Sequence, residues 1–180
     1  STYITQKRFL EKDGKGILAL DDLYIGNKTV IEGHFSLPVG YPTYTSKESF
    51  ESFYPFVPYQ FELIKKVLKA FRSLVYVETT VNDSERSILR IAYNAANTTA
   101  NKELGNVVPF DMMLTALGVL AHNGNVAIQM PRAVAKTYSD PDFANRVVNA
   151  LFMLCHMTEN DKNQLPASVE TLTTLLITKI

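Results

Sequence analysis

The chain has no tryptophan and a single cysteine, Cys155, among its 180 residues. A lone thiol excludes an intrachain disulfide and fits a reducing compartment, so a cytoplasmic setting is expected. An excess of one charge is also lacking. Eighteen Lys and Arg residues stand against eighteen Asp and Glu, for a formal net charge of zero. No global basic field therefore exists to hold nucleic acid, although a local patch remains open. No apolar run approaches the roughly 20 residues that a membrane-spanning helix needs. Residues 1–10 have no continuous apolar stretch of the signal-peptide kind, and no membrane partner is expected.

Several chemistries are missing as well. Neither the Gly-x-x-x-x-Gly-Lys-[Ser/Thr] phosphate loop nor Gly-x-Gly-x-x-Gly occurs. The Gly-x-Ser-x-Gly nucleophile elbow is absent too. His34, His122 and His156 fall in different stretches without metal-ligand spacing, so no metal site is expected. Cys155 and His156 are neighbours that point about 100° apart on a helix, and Cys155 reads as a small buried hydrophobe.

What is present is the composition of a globular domain, 46% hydrophobic and 20% charged, in a length that suits one domain or two small ones. Residues 1–50 hold five of the eight glycines and little helical periodicity. Apolar runs at 17–20 and 29–31 flank a turn signal at 25–28, which predicts a small β-hairpin or irregular β-containing lead-in. Residues 37–42 read as an extended loop.

From residue 51 the pattern turns helical, and the fold class is mainly α. Residues 53–61, Phe-Tyr-Pro-Phe-Val-Pro-Tyr-Gln-Phe, form a stiff apolar strip of Tyr54, Pro55, Phe56, Pro58, Tyr59 and Phe61. Each proline fixes its own φ and pushes its predecessor toward extended geometry. The strip runs into an amphipathic helix whose Phe61, Ile64, Leu68 and Phe71 share a face, with Lys65, Lys66 and Lys69 on a solvated side. Residues 74–81 alternate weakly and favour an extended run.

Asn82 as N-cap with Glu85 at the third position predicts the start of a second helix. Pro109 opens a third, which Asn123-Gly124 would stop, and Pro131 opens a short helical turn to 136. A fourth helix follows 139–142 and carries Phe143, Val147, Val148, Leu151, Phe152 and Leu154. A fifth spans 166–176. Residues 51–138 thus make one helical region, and 139–180 a helix pair. The paired acids Asp21/Asp22 and Asp140/Asp142 read as capping groups.

Arg86 stands out, because it occupies a helix first turn, where the dipole disfavours a cation. It reads either as an ordinary surface ion pair or as an arginine presented to an anion such as a nucleotide phosphate.

The strip at 53–61, Ser84-Glu-Arg-Ser-Ile-Leu89, Val108-Pro-Phe110, residues 146–154 and residues 165–172 together resemble the large P-loop ATPases of BREX-type phage-defence systems, the BrxC/PglY-like family. The resemblance covers about residues 50–176. It implies an internal fragment C-terminal to an AAA-like nucleotide-binding core, with ATP and Mg held only by the full-length parent and no cofactor in this stretch. It further implies a non-catalytic helical lid or adaptor. Arg86 sits where the family carries a nucleotide-sensing arginine at a lid-helix start, though Ser84 replaces the family's glycine. The last helix pair resembles the start of an incomplete winged helix. The implied partners are the parent's ATPase core and other BREX components. The alternative is a DNA-binding or protein-interaction module of the same kind of system.

Overall fold

The segment expected to form a hairpin is a helix. In the computed structural model, which describes residues 10–38 and 40–180, α1 runs over Gly14–His34. Asp13 starts it, its carboxylate accepting from the Gly16 amide at 2.7 Å. The turn signal at 25–28 survives only as a kink. Asn27 leaves helical geometry at φ −129°, ψ 20°, and its side-chain amide donates to the Leu23 carbonyl at 3.0 Å. Packing overrides local propensity, because Leu20, Tyr24 and Ile31 share one face and are buried.

Tyr24 lies against the Phe50 ring at 5.8 Å, and Phe50 meets Tyr44 edge-on at 5.1 Å. Such ring pairs contribute about 0.5–1.5 kcal/mol each beyond their area. Asp21 lies within α1 and pairs with Lys47 at 3.1 Å, tying α1 to α2 (Lys47–Phe53), so the expectation that Asp21 caps a turn is corrected. The irregular lead-in is thereby replaced by two helices; its residues 1–9 lie outside the described residues.

The mainly α class holds, with nine helices among the described residues. The amphipathic helix is α3 (Tyr59–Ser73), and its Phe61, Ile64, Leu68 and Phe71 are all buried as their spacing requires. The basic side is not wholly solvated. Lys66 reaches Asp161 at 3.0 Å and the Tyr41 hydroxyl at 3.1 Å, anchoring α8 (Glu159–Gln164) to α3. Residues 74–81 form turns rather than an extended run. Tyr76 N donates to Phe71 O at 2.8 Å, closing α3 with Val75 at φ 56°. A β-branched residue is strained in that left-handed region, where a helix end usually places glycine.

Further along, α4 (Glu85–Asn97) is followed by α5 (Met112–Leu117), which is shorter than expected. Residues 109–111 turn before it, and Gly118 at φ 92° ends it. Asn123-Gly124, read as a stop, lies instead in the first turn of α6 (His122–Ala135), and Pro131 lies inside the same helix rather than opening a new one. Gly124 has a non-local reason to be glycine. A Cβ there would stand 2.7 Å from the Tyr76 carbonyl oxygen, part of the turn that closes α3. Gly124→Ala is therefore expected to lower stability by about 1–3 kcal/mol, measured as a drop in the urea midpoint at unchanged slope.

The fourth expected helix is α7 (Pro141–Cys155), capped by the Asp140 carboxylate, which accepts from Phe143 N at 3.0 Å. Capping is thus what Asp140 does. The fifth is α9 (Val169–Leu175), and α8 intervenes, so the expected pair is a set of three. The only β-type pairing among the described residues is the isolated antiparallel bridge Asn106–Lys179, and no wing is seen among them. Cys155 is exposed, contrary to expectation. Phe152, Met153 and Leu154 fill the covered arc of α7, and the next residue turns outward.

Candidate functional site

The aromatic-proline strip is tied to several distant parts of the chain. Tyr54 has ψ 134°, the extended geometry that a following proline favours. Its hydroxyl accepts from Gly105 N at 3.0 Å, and the Pro55 carbonyl accepts from Val108 N at 2.9 Å. Phe56 is fully buried, and its carbonyl accepts from the Tyr44 hydroxyl at 2.7 Å. Burial pushes the Tyr44 and Tyr59 phenols well above their usual range. Pro58 precedes α3 directly, and Phe61 meets the Phe53 ring at a tilt at 6.0 Å and the Phe56 ring edge-on at 5.4 Å.

Gln60 completes the strip. Its carbonyl accepts from Val57 N at 3.0 Å, and its amide donates to Val108 O at 2.7 Å. Segment 105–110 is thus held by the strip on one side. On the other it pairs with the end of the chain: Val107 N donates to Thr178 O, Phe110 N to Leu175 O and Ile180 N to Gly105 O, all between 2.8 and 3.0 Å. Tyr59 adds a hydroxyl contact to Thr174 O at 3.5 Å. The strip therefore acts on packing, and every polar group named here is committed to the fold.

A second anchor stands beside it. Arg146 grips Asp111 through two hydrogen bonds of 3.1 and 3.0 Å and donates to Leu176 O at 2.7 Å. Asp111 is buried, and its desolvation raises its carboxyl above the ordinary range against the opposing pull of Arg146. This pair joins the start of α5 to α7 and the end of α9.

Arg86 lies elsewhere, and none of the strip's hydrogen bonds or ring contacts involves it. It occupies the first turn of α4, but the cap is Ser84 rather than Asn82. Ser84 Oγ accepts from Ser87 N at 3.4 Å, while Asn82 Oδ1 accepts from Ser84 N at 3.0 Å. Glu85 is consequently the first helical residue, and the expected capping box is corrected by two positions. Two hydroxyls and an amide able to cap lie within six residues, and buried Ser87 selects the inner one. Arg86 is exposed and forms no hydrogen bond or ion pair among the described residues. Arg90, one turn further on the same face, is also exposed. Sequence reasoning passes over Arg90, although the i, i+4 spacing of two cations is a legible signal.

A third cluster lies where α2 faces α1. Asp21 and Glu51 share Lys47, at 3.1 and 3.6 Å respectively. The neighbouring Asp21 carboxylate raises the Glu51 pKa, and burial lowers that of Lys12 to about 8. Lys12 Nζ is buried without a hydrogen-bond partner among the described residues.

His156 Nδ1 lies 2.7 Å from Phe152 O, in a ring cluster with Phe71 and Tyr76, while His34 and His122 are exposed at helix ends. No group of three or more His, Cys, Asp or Glu among the described residues could hold a metal ion. No described helix is long and apolar enough to cross a membrane. No family model matches this chain, and no solved structure matches it.

Proposed function

We propose that this chain is a helical lid or adaptor, without catalysis of its own, that serves the core of a large AAA-like P-loop ATPase of the BREX phage-defence kind. Arg86 is its nucleotide-sensing group. The observation that carries this reading is the presentation of Arg86: a cation placed in the first turn of a capped helix, exposed and without a hydrogen bond or ion pair among the described residues, with Arg90 one turn behind. A surface ion pair was the competing explanation, and no partner for one is found among the described residues. The resemblance at 84–89 supplies the anion, a nucleotide γ-phosphate held with Mg by the parent's core. The rigid strip would keep α3 in register with its neighbours while α4 meets that core. The exposed Cys155 thiol suits a reducing, cytoplasmic setting.

In an ATPase that contains this region, Arg86→Ala should lower kcat about tenfold or more, with an unchanged thermal midpoint. Unchanged turnover would end the sensing role. ATP turnover by the 180-residue chain alone, lost on mutating one of its own residues, would end the non-catalytic reading.

The alternative of an interaction module has an observation of its own. Large apolar side chains stand exposed on α6 and α7, which favours protein contact over DNA contact. α9 carries no Lys or Arg that could meet a phosphate. A salt-dependent shift of duplex DNA by the purified chain would reverse that preference.

A further inference from the structure

We propose that the cleft between the start of α1, the aromatic-proline strip and the end of α4 captures a small apolar aldehyde or ketone covalently, as an imine on Lys12. The adduct is stoichiometric, and the inference does not rest on the lid reading.

The cleft comes first. It spans about 660 Å³ and is walled by Leu20 of α1, Tyr54 and Pro55 of the strip, Ala96 of α4 and Leu104 of the loop beyond. That is the size of a small-ligand pocket, and these walls are apolar. Lys12 lines the cleft too, beside Gly16. A Cβ at Gly16 would stand 3.3 Å from the Lys12 Cβ, so the lysine stem lies against the first turn of α1 where that turn has no side chain.

Two buried atoms then stand out. Lys12 Nζ, a donor, has no acceptor among the described residues, and Glu51 Oε1, an acceptor, has no hydrogen-bond donor among them. Lys47 stands 3.6 Å from that oxygen. Glu51 attracts Lys12 electrostatically without a hydrogen bond between them. It lies one turn before Tyr54, and so on the same side of α2 as that wall of the cleft. The oxygen of a carbonyl attacked by Nζ must gain a proton, and Glu51 is the group placed to carry it.

The environment prepares both partners. Desolvation lowers Lys12 to about 8, and the Asp21 carboxylate shifts Glu51 upward. At about pH 7.5 roughly a quarter of such an amine is neutral, against about a thousandth of an ordinary lysine. Desolvated lysines are the nucleophiles of imine chemistry, and shifts that run apart mark a nucleophile and its proton carrier. A carboxylate ligand fits less well, because Asp21, Glu48 and Glu51 already outnumber Lys12 and Lys47.

The chemistry closes on these groups. The Nζ lone pair attacks the carbonyl carbon, and the π pair of C=O moves to oxygen. Glu51 carries one amine proton to that oxygen, which gives a carbinolamine. It then carries the second to the hydroxyl, which leaves as water while C=N forms. Both amine protons depart in that water, and no oxidant, reductant or further reactant is needed.

Benzaldehyde with cyanoborohydride, which reduces imines where they form, tests this on the 180-residue chain. At about pH 7.5, peptide mapping should find benzylation of Lys12 at least about tenfold faster than of exposed Lys65 and Lys69. The rate should reach half its maximum near pH 8. Lys12→Arg should remove that label alone and leave the circular-dichroism spectrum unchanged. Glu51→Gln should slow Lys12 labelling at least about tenfold. A Glu51 that acts only through its charge would do the opposite, since its loss lowers the ammonium further. Benzylation of Lys12 in the parent chain no faster than of Lys65 overturns the proposal, whether the amine is shielded or ordinary. Labelling that Glu51→Gln leaves unslowed overturns the proton-carrying role.

Discussion

Arg146→Ala is expected to destabilise the protein by about 3–5 kcal/mol, because it leaves the Asp111 carboxylate buried without a counter-charge. The same change removes the donor to Leu176 O and loosens the end of α9. The loss should depend on pH in a defined direction. Asp111 already has a raised folded-state pKa, chiefly from burial, and removing Arg146 raises it further. A carboxyl whose pKa is higher folded than unfolded binds its proton more readily when folded. Its contribution to stability therefore declines as pH rises from the unfolded value, about 3.9, through the folded one. The gap between variant and parent should be widest near neutrality and narrow toward pH 4, as read from urea midpoints at the two pH values. Asp111→Asn added to Arg146→Ala should recover part of the loss at pH 7, because a neutral amide is far cheaper to bury than a carboxylate. A gap that does not vary with pH would mean that Asp111 is not left charged, and that Arg146 acts only through Leu176 and packing.

The Asp111–Arg146 pair also shows which parts of this molecule could be read from its sequence. Thirty-five positions separate the two residues, and nothing local to either announces the other. α3 was legible, because its apolar positions repeat at helical spacing and a proline precedes it. The start of α7 was legible too, since Asp140 and Pro141 are both strong helix-start residues. α1 was hidden by its own composition. Gly26 and Asn27 look like a turn, and only burial of Leu20, Tyr24 and Ile31 against the aromatic cluster carries a helix across them. Gly124 misleads in the opposite sense: it resembles a helix stop, yet its meaning is the approach of the Tyr76 carbonyl from another part of the chain. The position of Arg86 in a first turn follows from local signals and is correct even though the cap was misplaced. That no partner for it is found among the described residues is a property of the folded surface.

The strip at 53–61 supplies the second large effect, which turns on Gln60. Its apolar surroundings make the residue easy to dismiss, yet it is 1% exposed and serves two main-chain groups at once. Gln60→Leu keeps the volume but orphans Val57 N–H and Val108 C=O, each at about 1–3 kcal/mol, for an expected loss of about 2–5 kcal/mol in chemical denaturation. Gln60→Glu should cost at least as much at neutral pH, since it retains the acceptor for Val57 but sets a charge against the Val108 carbonyl. The consequence should also travel. Val108 belongs to the segment whose neighbours Val107 and Phe110 hold the chain end through Thr178 and Leu175. Amide exchange at Val107, Phe110 and Ile180 should therefore accelerate in the leucine variant along with the amide of Val57. If Val57 alone accelerates, the chain end is held without help from the strip, and the strip's reach stops at the start of α3. If all four accelerate together, one buried glutamine couples the strip to the far end of the chain, across 48 residues to Val108 and onward through the paired segment.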